Sequence, residues 1–478
     1  MKKLIFLYLF LILALTSCTE GMEELNHDPE GVSSATAGSF MNTAILEGVN
    51  TGLSRSHRLN NELMQVTVSL TEGNTVFHRY VLFPSESDYM WSNYYLSLTN
   101  IEDMIQKAKA MSQPNYLAIG LTLKAWLFAN LTDIYGDIPY SQALKGYPNY
   151  VVNPAFDKQE DIYTDLIAKL DTANTLYDVT KTLTLGQDAL FGADKSTVGT
   201  VRWKKFTNSL RLRLLMRGEA KSPAFQAQLK TMLANPDKYP LMASSDESAA
   251  LKFTQVTPLL NPFTSARDYD FNGANAVSEF FIKTLSTWSD PRLDIWATKA
   301  SSKYTGIPSG YTIAEGPAMN AISSSKLNKN LKTSLILGTI LQYAEVEFLL
   351  AEAALKGYTT DSPKDHYEKG ISASIKYWGA TQPTDFLTRS GVAYNGTLQQ
   401  IMTQKYIALF FNDMQQWFEY KRTGYPILPV GKGVENNGKM PMRLKYPLST
   451  QSLNRANYDK AVAQMGGDDI NTKTWWTK

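Results

Sequence analysis

The sequence predicts a mainly α-helical protein in which helices pack in pairs. Apolar residues recur at helical spacing through most of the chain, and glycine, proline, asparagine and serine gather in the segments between these stretches. Alternation of apolar and polar residues, which indicates strands, is sparse, and KFTQV at 252–256 is the one short candidate. Together these patterns place the chain in the mainly α class.

The first seventeen residues form a predicted secretory signal. MKK gives a positive start, and an unbroken apolar run follows at 4–15. The run holds about a dozen residues, too few to span a bilayer comfortably. Small residues then lead into Cys18, so we expect residues 1–17 to be removed.

Cys18 is the predicted point of membrane attachment. It is the only cysteine in the chain, which excludes an intramolecular disulfide. LTSC at 15–18 resembles a bacterial lipobox, and the resemblance implies a cysteine that carries three acyl chains, enough for stable anchoring where one chain is marginal. A lone buried thiol is the alternative, but the position directly after the apolar run argues against it. Residues 18–40 then form an acidic lipidated tether, whose start resembles the surface-export signal of Bacteroidota lipoproteins.

Residues 41–478 are predicted to form a single domain made mostly of helices. Residues 93–111 place Tyr94, Leu98 and Ile101 on one apolar stripe. Residues 116–134 are apolar almost all round, which predicts a buried helix. Further helices are predicted at 160–177, 201–218, 223–234, 277–286, 335–356, 364–378 and 397–422.

The segment 345–379 shows the predicted pairing most clearly. Small residues precede Gly357, which ends the first helix, and Tyr367 and Ile371 begin the apolar stripe of the second. Small residues allow close helix approach, and a span of roughly thirty residues is that of a tetratricopeptide-like hairpin. The long loops at 179–200, 236–276 and 299–330 are the expected binding face, because loops of that length are uncommon unless they are functional.

Catalysis receives little support from the sequence. The four histidines, His27, His57, His78 and His366, are scattered, and no nucleophile elbow, phosphate loop or dinucleotide fingerprint occurs. Glu345 and Glu352 share a helix face, but a glycosidase needs an acid and a base that flank one bond, and a solvated stripe explains this pair better. We therefore expect no enzyme activity, no cofactor and no metal.

The charge balance argues against a nucleic-acid partner. Removing residues 1–17 takes two of the 47 Lys and Arg residues and none of the 45 Asp and Glu, which leaves 45 against 45. The basic helix at 202–217 is the exception. We expect its cations, Arg213 and Arg217 among them, to lie along the rim and to pair with carboxylates of neighbouring helices.

Aromatic and polar residues near helix starts and in loops are the candidate ligand contacts. A pyranose packs its C–H face on a flat ring, while nearby amide, carboxylate and guanidinium groups bind its hydroxyls. Each candidate could instead be a core residue. The candidates are Arg79, Trp91, Asn93, Tyr269, Phe271 and Trp288.

The order of eight sequence blocks resembles the SusD/RagB family of nutrient-binding outer-membrane lipoproteins, in the branch with an LTDxYGDIPY signature. The resemblance runs from Cys18 to the closing NTKTWWTK, and the family's asparagine-rich proline motif is NHDPE here. The blocks are LNHDPE (25–30), WSNYYLSLTNIEDMI (91–105), LKAWLFANLTDIYGDIPYSQAL (123–144), RWKKFTNSLRLRLLMR (202–217), DPRL (290–293), EVEFLLAEAALKG (345–357), ALFFNDMQQWFEYKRTGYP (408–426) and MPMRLKYP (440–447).

This resemblance implies tetratricopeptide-like helix pairs that form a right-handed superhelical scaffold with loop-rich insertions. It also implies a partner, a SusC-like TonB-dependent transporter, which the lipoprotein caps as a lid on the extracellular side of the outer membrane. The ligand is most often a glycan, and RagB-like relatives serve peptide import. Ligand positions vary within the family, so no binding residue is carried over.

Two other functions stay open from the sequence. One is a secreted helical glycoside hydrolase or lyase of toroidal build, which would also be rich in aromatic residues. The other is a structural surface protein without a small ligand. The leading hypothesis is non-catalytic capture of a nutrient.

Overall fold

The computed structural model describes residues 36–71, 77–145, 150–183, 188–192 and 197–478. The predicted signal peptide, Cys18 and the first part of the tether lie outside the described residues. Within the described part the chain is mainly helical, so the predicted fold class is confirmed.

The helices alternate with loops along the whole described chain. Two π-helical turns (Ser56–Asn60 and Tyr269–Gly273) and several short 3-10 turns occur between them. The α-helices are α1 (Ala37–Arg55), α2 (Asn61–Leu63), α3 (Ser85–Ala110), α4 (Pro114–Tyr135), α5 (Gln159–Leu176), α6 (Val198–Gly218), α7 (Pro223–Leu233), α8 (Glu279–Trp288), α9 (Leu293–Trp296), α10 (Gly316–Ala321), α11 (Tyr343–Leu355), α12 (Pro363–Tyr377), α13 (Leu398–Ala408), α14 (Gln415–Thr423), α15 (Leu448–Leu453) and α16 (Arg455–Met465).

The strands are short and form antiparallel two-stranded sheets. They pair β1 (Thr67–Ser69) with β5 (Asn275–Val277), β2 (Ile138–Pro139) with β3 (Phe156–Asp157), and β4 (Ala249–Leu251) with β6 (Gly338–Leu341). The strand predicted at 252–256 is wrong. The strand ends at Leu251, and beyond it Lys252 and Thr254 are exposed while Phe253 is buried.

Consecutive helices pack against one another from α3 to α6, and α1 covers α3. Helix α4 lies at the centre of this group. It is long and apolar enough to cross a membrane, yet 83% of its most apolar window is buried inside the protein, as its sequence predicts. Gly48 of α1 makes close packing possible, because a Cβ there would lie 2.7 Å from the Trp126 ring of α4.

Helices α11 and α12 form the predicted hairpin. Gly357 turns the chain with a φ of +73°, and the backbone N–H of Gly357 donates to the Ala354 carbonyl. Ser362 then caps α12, since its hydroxyl accepts a hydrogen bond from the Asp365 N–H at 3.2 Å. At Gly370 the absent side chain leaves room for the Phe348 ring, 3.0 Å from where a Cβ would lie. This helix pair confirms the prediction of a tetratricopeptide-like hairpin.

The helix predicted at 397–422 is instead two helices, α13 and α14. Phe411 and Asp413 between them adopt positive φ angles of 57° and 51°, which a continuous helix does not allow. This conformation places the buried Asp413 carboxylate 2.5 Å from the Asn130 amide and 3.3 Å from the Tyr94 hydroxyl. A polar contact therefore breaks a helix that apolar spacing alone would continue.

A network of ion pairs lies inside this scaffold and joins segments that are far apart in the chain. Arg217 of α6 lies 2.5 Å from Asp133 of α4 and 3.2 Å from Glu419 of α14. Asp133 also accepts hydrogen bonds from the Trp476 indole and the Tyr163 hydroxyl. All five residues are buried. Charges removed from water need partners of this kind on every side.

Arg422 extends the network to α11. Its guanidinium lies 2.6 Å from Glu352 and 2.6 Å from Glu419, and the Lys405 ammonium lies 2.9 Å from Glu419. Lys356 approaches Glu352 to 2.7 Å. Burial alone would raise the pKa of Glu352, but Arg422 and then Lys356 outweigh burial and lower this pKa to about 2. Glu352 is therefore a stable carboxylate.

The network corrects two expectations. Arg213 and Arg217 are buried rather than placed along the rim, and Arg213 donates two hydrogen bonds of 2.7 and 2.6 Å to Glu345. Glu345 and Glu352 are not a solvated stripe, because each is buried against an arginine. The expected pairing of these arginines with carboxylates of neighbouring helices is confirmed.

Glu352→Gln tests how much this network contributes to the free energy of unfolding. We expect the free energy of unfolding to fall by about 3 kcal/mol, because Arg422 and Lys356 lose their shared carboxylate. Urea unfolding followed by tryptophan fluorescence measures the change. The folded pKa of about 2 lies below the usual 4.5, so this contribution is present above pH 4.5 and is lost as the pH falls towards 2.

The matched control for this variant is Asp459→Asn. Asp459 lies 2.8 Å from Arg455 in an exposed pair, whose loss should change the free energy of unfolding by less than about 1 kcal/mol. Equal losses in the two variants would contradict a special role for the buried network.

Candidate functional site

Arg79, the first candidate contact, is held by another part of the protein. It ends a 3-10 turn at Phe77–Arg79 and is almost buried, and its guanidinium lies 2.6 Å from the Glu435 carboxylate. In the same turn the His78 ring accepts a hydrogen bond from the Gly310 N–H. Burial, followed by the nearby Arg79 charge, lowers the pKa of His78 to about 3, so this ring is neutral and fixes the turn.

Trp91 and Asn93 lie in the first half of α3. The Trp91 ring is partly buried and packs edge-on against Tyr135 and Tyr446, at centroid distances of 5.0 and 6.1 Å. The Asn93 amide donates to the Tyr89 carbonyl of its own helix at 2.7 Å. The Trp91 ring is therefore held in place by its aromatic neighbours, and part of its surface stays accessible to solvent.

The remaining three candidates differ in exposure. Tyr269 has 61% of its surface exposed, whereas Phe271 is buried and its ring stacks on His57 at 4.9 Å. Trp288 is buried at the end of α8 against Gly391, where a Cβ would lie 2.5 Å from the indole nitrogen. The structure therefore scatters the six candidates over several places. Their role in binding stays a prediction, and exposure favours Trp91 and Tyr269.

Trp91 lines a groove of about 320 Å³, called the Trp91 groove below. The rim carries exposed apolar side chains, among them Val152 and Leu453, and hydroxyl groups come from Ser449 and Thr450. A flat aromatic ring beside a few polar groups is an arrangement that suits a sugar ring. The lining residues are Trp91, Tyr95, Pro139, Ala143, Leu144, Val151, Val152, Pro154, Ser449, Thr450, Leu453 and Asn454.

A larger cleft, of about 610 Å³, lies among two of the loops predicted to form the binding face. Sequence reasoning named those loops but none of the cleft's side chains as ligand contacts. This loop cleft is lined by Asn42, Asp188, Ala189, Leu190, Phe191, Gly192, Arg202, Ser245, Asp246, Ser248, Ala250, Lys252, Thr254, Pro258, Leu259, Ile336, Lys376 and Tyr377.

The Asp188 carboxylate in the loop cleft is held by hydrogen bonds from the protein. Its carboxylate accepts hydrogen bonds from the Trp203 indole at 2.6 Å and from the Leu190 N–H at 2.8 Å. Burial raises the pKa of Asp188, although these hydrogen bonds oppose the rise. These hydrogen bonds hold the 188–192 turn against Trp203 of α6. In the part of the chain that the structure describes, no group of three His, Cys, Asp or Glu side chains could hold a metal ion.

The comparisons with known proteins agree with this geometry. A family described as "SusD-like_2: Starch-binding associating with outer membrane" matches residues 29–447. The chain belongs to the SusD-like family. It is accordingly a nutrient-binding protein of the outer membrane. None of the curated protein sequences matches it.

Solved structures of SusD homologues have the same fold as this SusD-like protein. One from Bacteroides fragilis is 24% identical with a TM-score of 0.78, over 93% of this chain and 100% of that one. A chitin-binding SusD homologue from Flavobacterium johnsoniae is 23% identical with a TM-score of 0.78, over 91% and 97%. A chitin-binding protein is 26% identical with a TM-score of 0.74, over 92% and 98%.

The sequence blocks that carried the resemblance supply the buried network of this SusD-like protein. LTDIYGDIPY contains Asp133, and WFEYKRTGYP contains Glu419 and Arg422. These blocks therefore contribute to the interior of the scaffold. Other blocks also reach the clefts, since Trp91 and Tyr95 (block 91–105) line the Trp91 groove and Arg202 (block 202–217) lines the loop cleft.

Trp91→Ala tests the groove. If the ring is a platform for sugar, we expect affinity for the best-bound oligosaccharide of a panel to fall by about 1–3 kcal/mol, measured by isothermal titration calorimetry. Trp288→Ala is the matched control, since this buried tryptophan should lower thermal stability and leave affinity unchanged. If Trp91→Ala behaves like the control, Trp91 is a core residue.

Proposed function

We propose that this protein captures a glycan at the cell surface without cleaving it and passes it to a SusC-like TonB-dependent transporter. The match of residues 29–447 to a family of starch-binding proteins that associate with the outer membrane is the observation that carries the proposal. The 26% identical chitin-binding protein, which the chain matches over 92% of its length, supports a glycan as the ligand class.

The positions of the helix carboxylates support binding without catalysis. Glu345 and Glu352, the pair with the best spacing for glycoside hydrolysis in the sequence, each form a buried ion pair with an arginine. With its pKa lowered to about 2, Glu352 does not carry the proton that a general acid has to donate. These two groups therefore serve the scaffold.

Delivery to a transporter gives the scaffold a mechanical role. A rigid body that makes ligand contacts on one side can close over a barrel if the ligand also contacts the barrel, because contacts from both sides favour the closed state. The buried network supplies the rigidity, and the loops supply the contacts. Residues 41–478 act as one such body, attached at the outer face of the membrane through Cys18.

A panel of soluble polysaccharides tests capture without cleavage. In affinity electrophoresis we expect the purified protein to be retarded by at least one glycan, and chromatography of the incubated glycan should show no new oligosaccharides. Released oligosaccharides would establish a hydrolase or lyase instead. Retardation by no glycan, together with binding of peptides in the same protein preparation, would replace the glycan by a peptide.

Cys18→Ala tests the anchor. The variant lacks the thiol that lipidation requires, so we expect it to leave the membrane fraction and to incorporate no labelled palmitate during growth. Ser17→Ala, which keeps the cysteine and a small residue before it, should remain attached. Cys18→Ala protein that stays in the membrane fraction would refute the anchor.

A further inference from the structure

We propose that the loop cleft binds the anionic group of an acidic saccharide, either a uronate carboxylate or a sulfate ester. The inference rests on the proposed function, since it takes the ligand to be a glycan, and it adds the chemical class of that glycan. The loop cleft shares no lining residue with the Trp91 groove, so it is a site of its own.

Three cationic side chains line the cleft: Arg202, Lys252 and Lys376. None of them has an ion-pair or hydrogen-bond partner among the residues that the structure describes. Lys252 and Lys376 are exposed, and Arg202 is partly buried. Three like charges around one cavity repel each other and attract an anion.

Arg202 lies on α6, a helix on which most of the other cations have carboxylate partners. Further along the same helix, Lys205 lies 2.5 Å from Glu247 and Arg211 lies 3.0 Å from Asp171. Arg213 and Arg217 belong to the buried network, each with its own carboxylate. Carboxylates of other segments thus pair with these four cations of α6, whereas Arg202 at the cleft, like Lys204, has no such partner among the described residues.

The acids of the cleft do not replace that partner. Both oxygens of Asp188 are occupied by the Trp203 indole and by the backbone N–H groups of Leu190 and Phe191. Asp246 is exposed and forms no ion pair with a described residue. Its carboxylate remains available to accept hydrogen bonds from sugar hydroxyls.

The rest of the lining suits a saccharide better than a small free anion. The cleft of about 610 Å³ falls in the range of about 300–1,000 Å³ typical of ligand sites, far more than one sulfate needs. Its walls include Phe191 and Tyr377. The Tyr377 hydroxyl is already bound to the Ile336 carbonyl at 2.7 Å, so the ring is the part left for a sugar face.

The chemistry of recognition follows from these groups. A guanidinium binds a carboxylate or sulfate through two parallel hydrogen bonds, and each ammonium adds a point charge. The attraction of the bound anion also offsets the repulsion among the three cations. A neutral oligosaccharide makes none of these ionic interactions, so we expect the cleft to bind acidic saccharides in preference to neutral ones.

Calorimetric titration of the purified full-length chain tests the inference. The probes are oligogalacturonate, which carries carboxylates only, a carrageenan oligosaccharide, which carries sulfates only, and neutral maltohexaose and chitohexaose. We expect tighter binding of at least one acidic probe, with an affinity that falls as salt is added.

The double variant Lys252→Gln and Lys376→Gln should lower the affinity for that probe about tenfold or more and change the affinity for the neutral probes less than about twofold. Lys460→Gln, an exposed lysine of α16 outside the cleft, is the control for charge and should change neither.

The outcomes separate this inference from the proposed function. Binding of neutral probes alone, or equal effects of the cleft and control variants, overturns the inference and leaves glycan capture intact. Binding of no probe, in a protein that a glycan of the polysaccharide panel retards, overturns the inference alone, whereas binding of neither the probes nor any glycan of that panel removes both. Competition by sodium sulfate at constant ionic strength, with the same affinity as the oligosaccharide, would reduce the site to one for free anions and overturn the saccharide assignment.

Discussion

Arg217, Arg422 and the carboxylates around them lie in the interior, almost inaccessible to solvent, so their charges have to be balanced by other protein groups. Taking such charges out of water costs several kcal/mol for each ion, and an unmatched partner would leave that cost uncompensated. Five segments far apart in the chain (α4, α6, α11, α13 and α14) supply the matching groups, and their helices must therefore keep one fixed arrangement. The loops between them are free of this constraint, and together with side chains such as Trp91 of α3 and Arg202 of α6 they line the clefts.

Apolar spacing was enough to predict the class of the fold and most of its helices. It failed where a buried polar contact accompanies a non-helical backbone conformation. Asp413, which contacts Asn130, has a positive φ angle, and the helix predicted at 397–422 is interrupted there. Helix α1 was not predicted, although Met41, Ile45, Val49 and Leu53 recur at helical spacing and are buried, because several residues of low helix propensity lie between them. Buried charges are the hardest case, since Glu352 in a sequence looks the same as a solvated glutamate until its partner is known.

The candidate site was predictable at the level of segments and not of side chains. The loops at 179–200 and 236–276 were expected to bind ligand, and residues from both line the loop cleft. Whether one side chain is accessible depends on contacts across hundreds of residues, such as that between Arg79 and Glu435, which no local pattern encodes. Trp91 and Trp288 look alike in the sequence, yet one lines a groove and the other is buried.

The central claim is that the ionic network holds the scaffold while the clefts bind the nutrient. The affinity of folded Glu352→Gln protein for its best-bound oligosaccharide, measured by calorimetry well below the temperature at which the variant unfolds, tests this division most directly. An affinity equal to that of the unaltered protein is the expected result, because Glu352 lines neither cleft. Loss of binding by a variant whose circular dichroism spectrum is unchanged would contradict it and would place the network in the binding site.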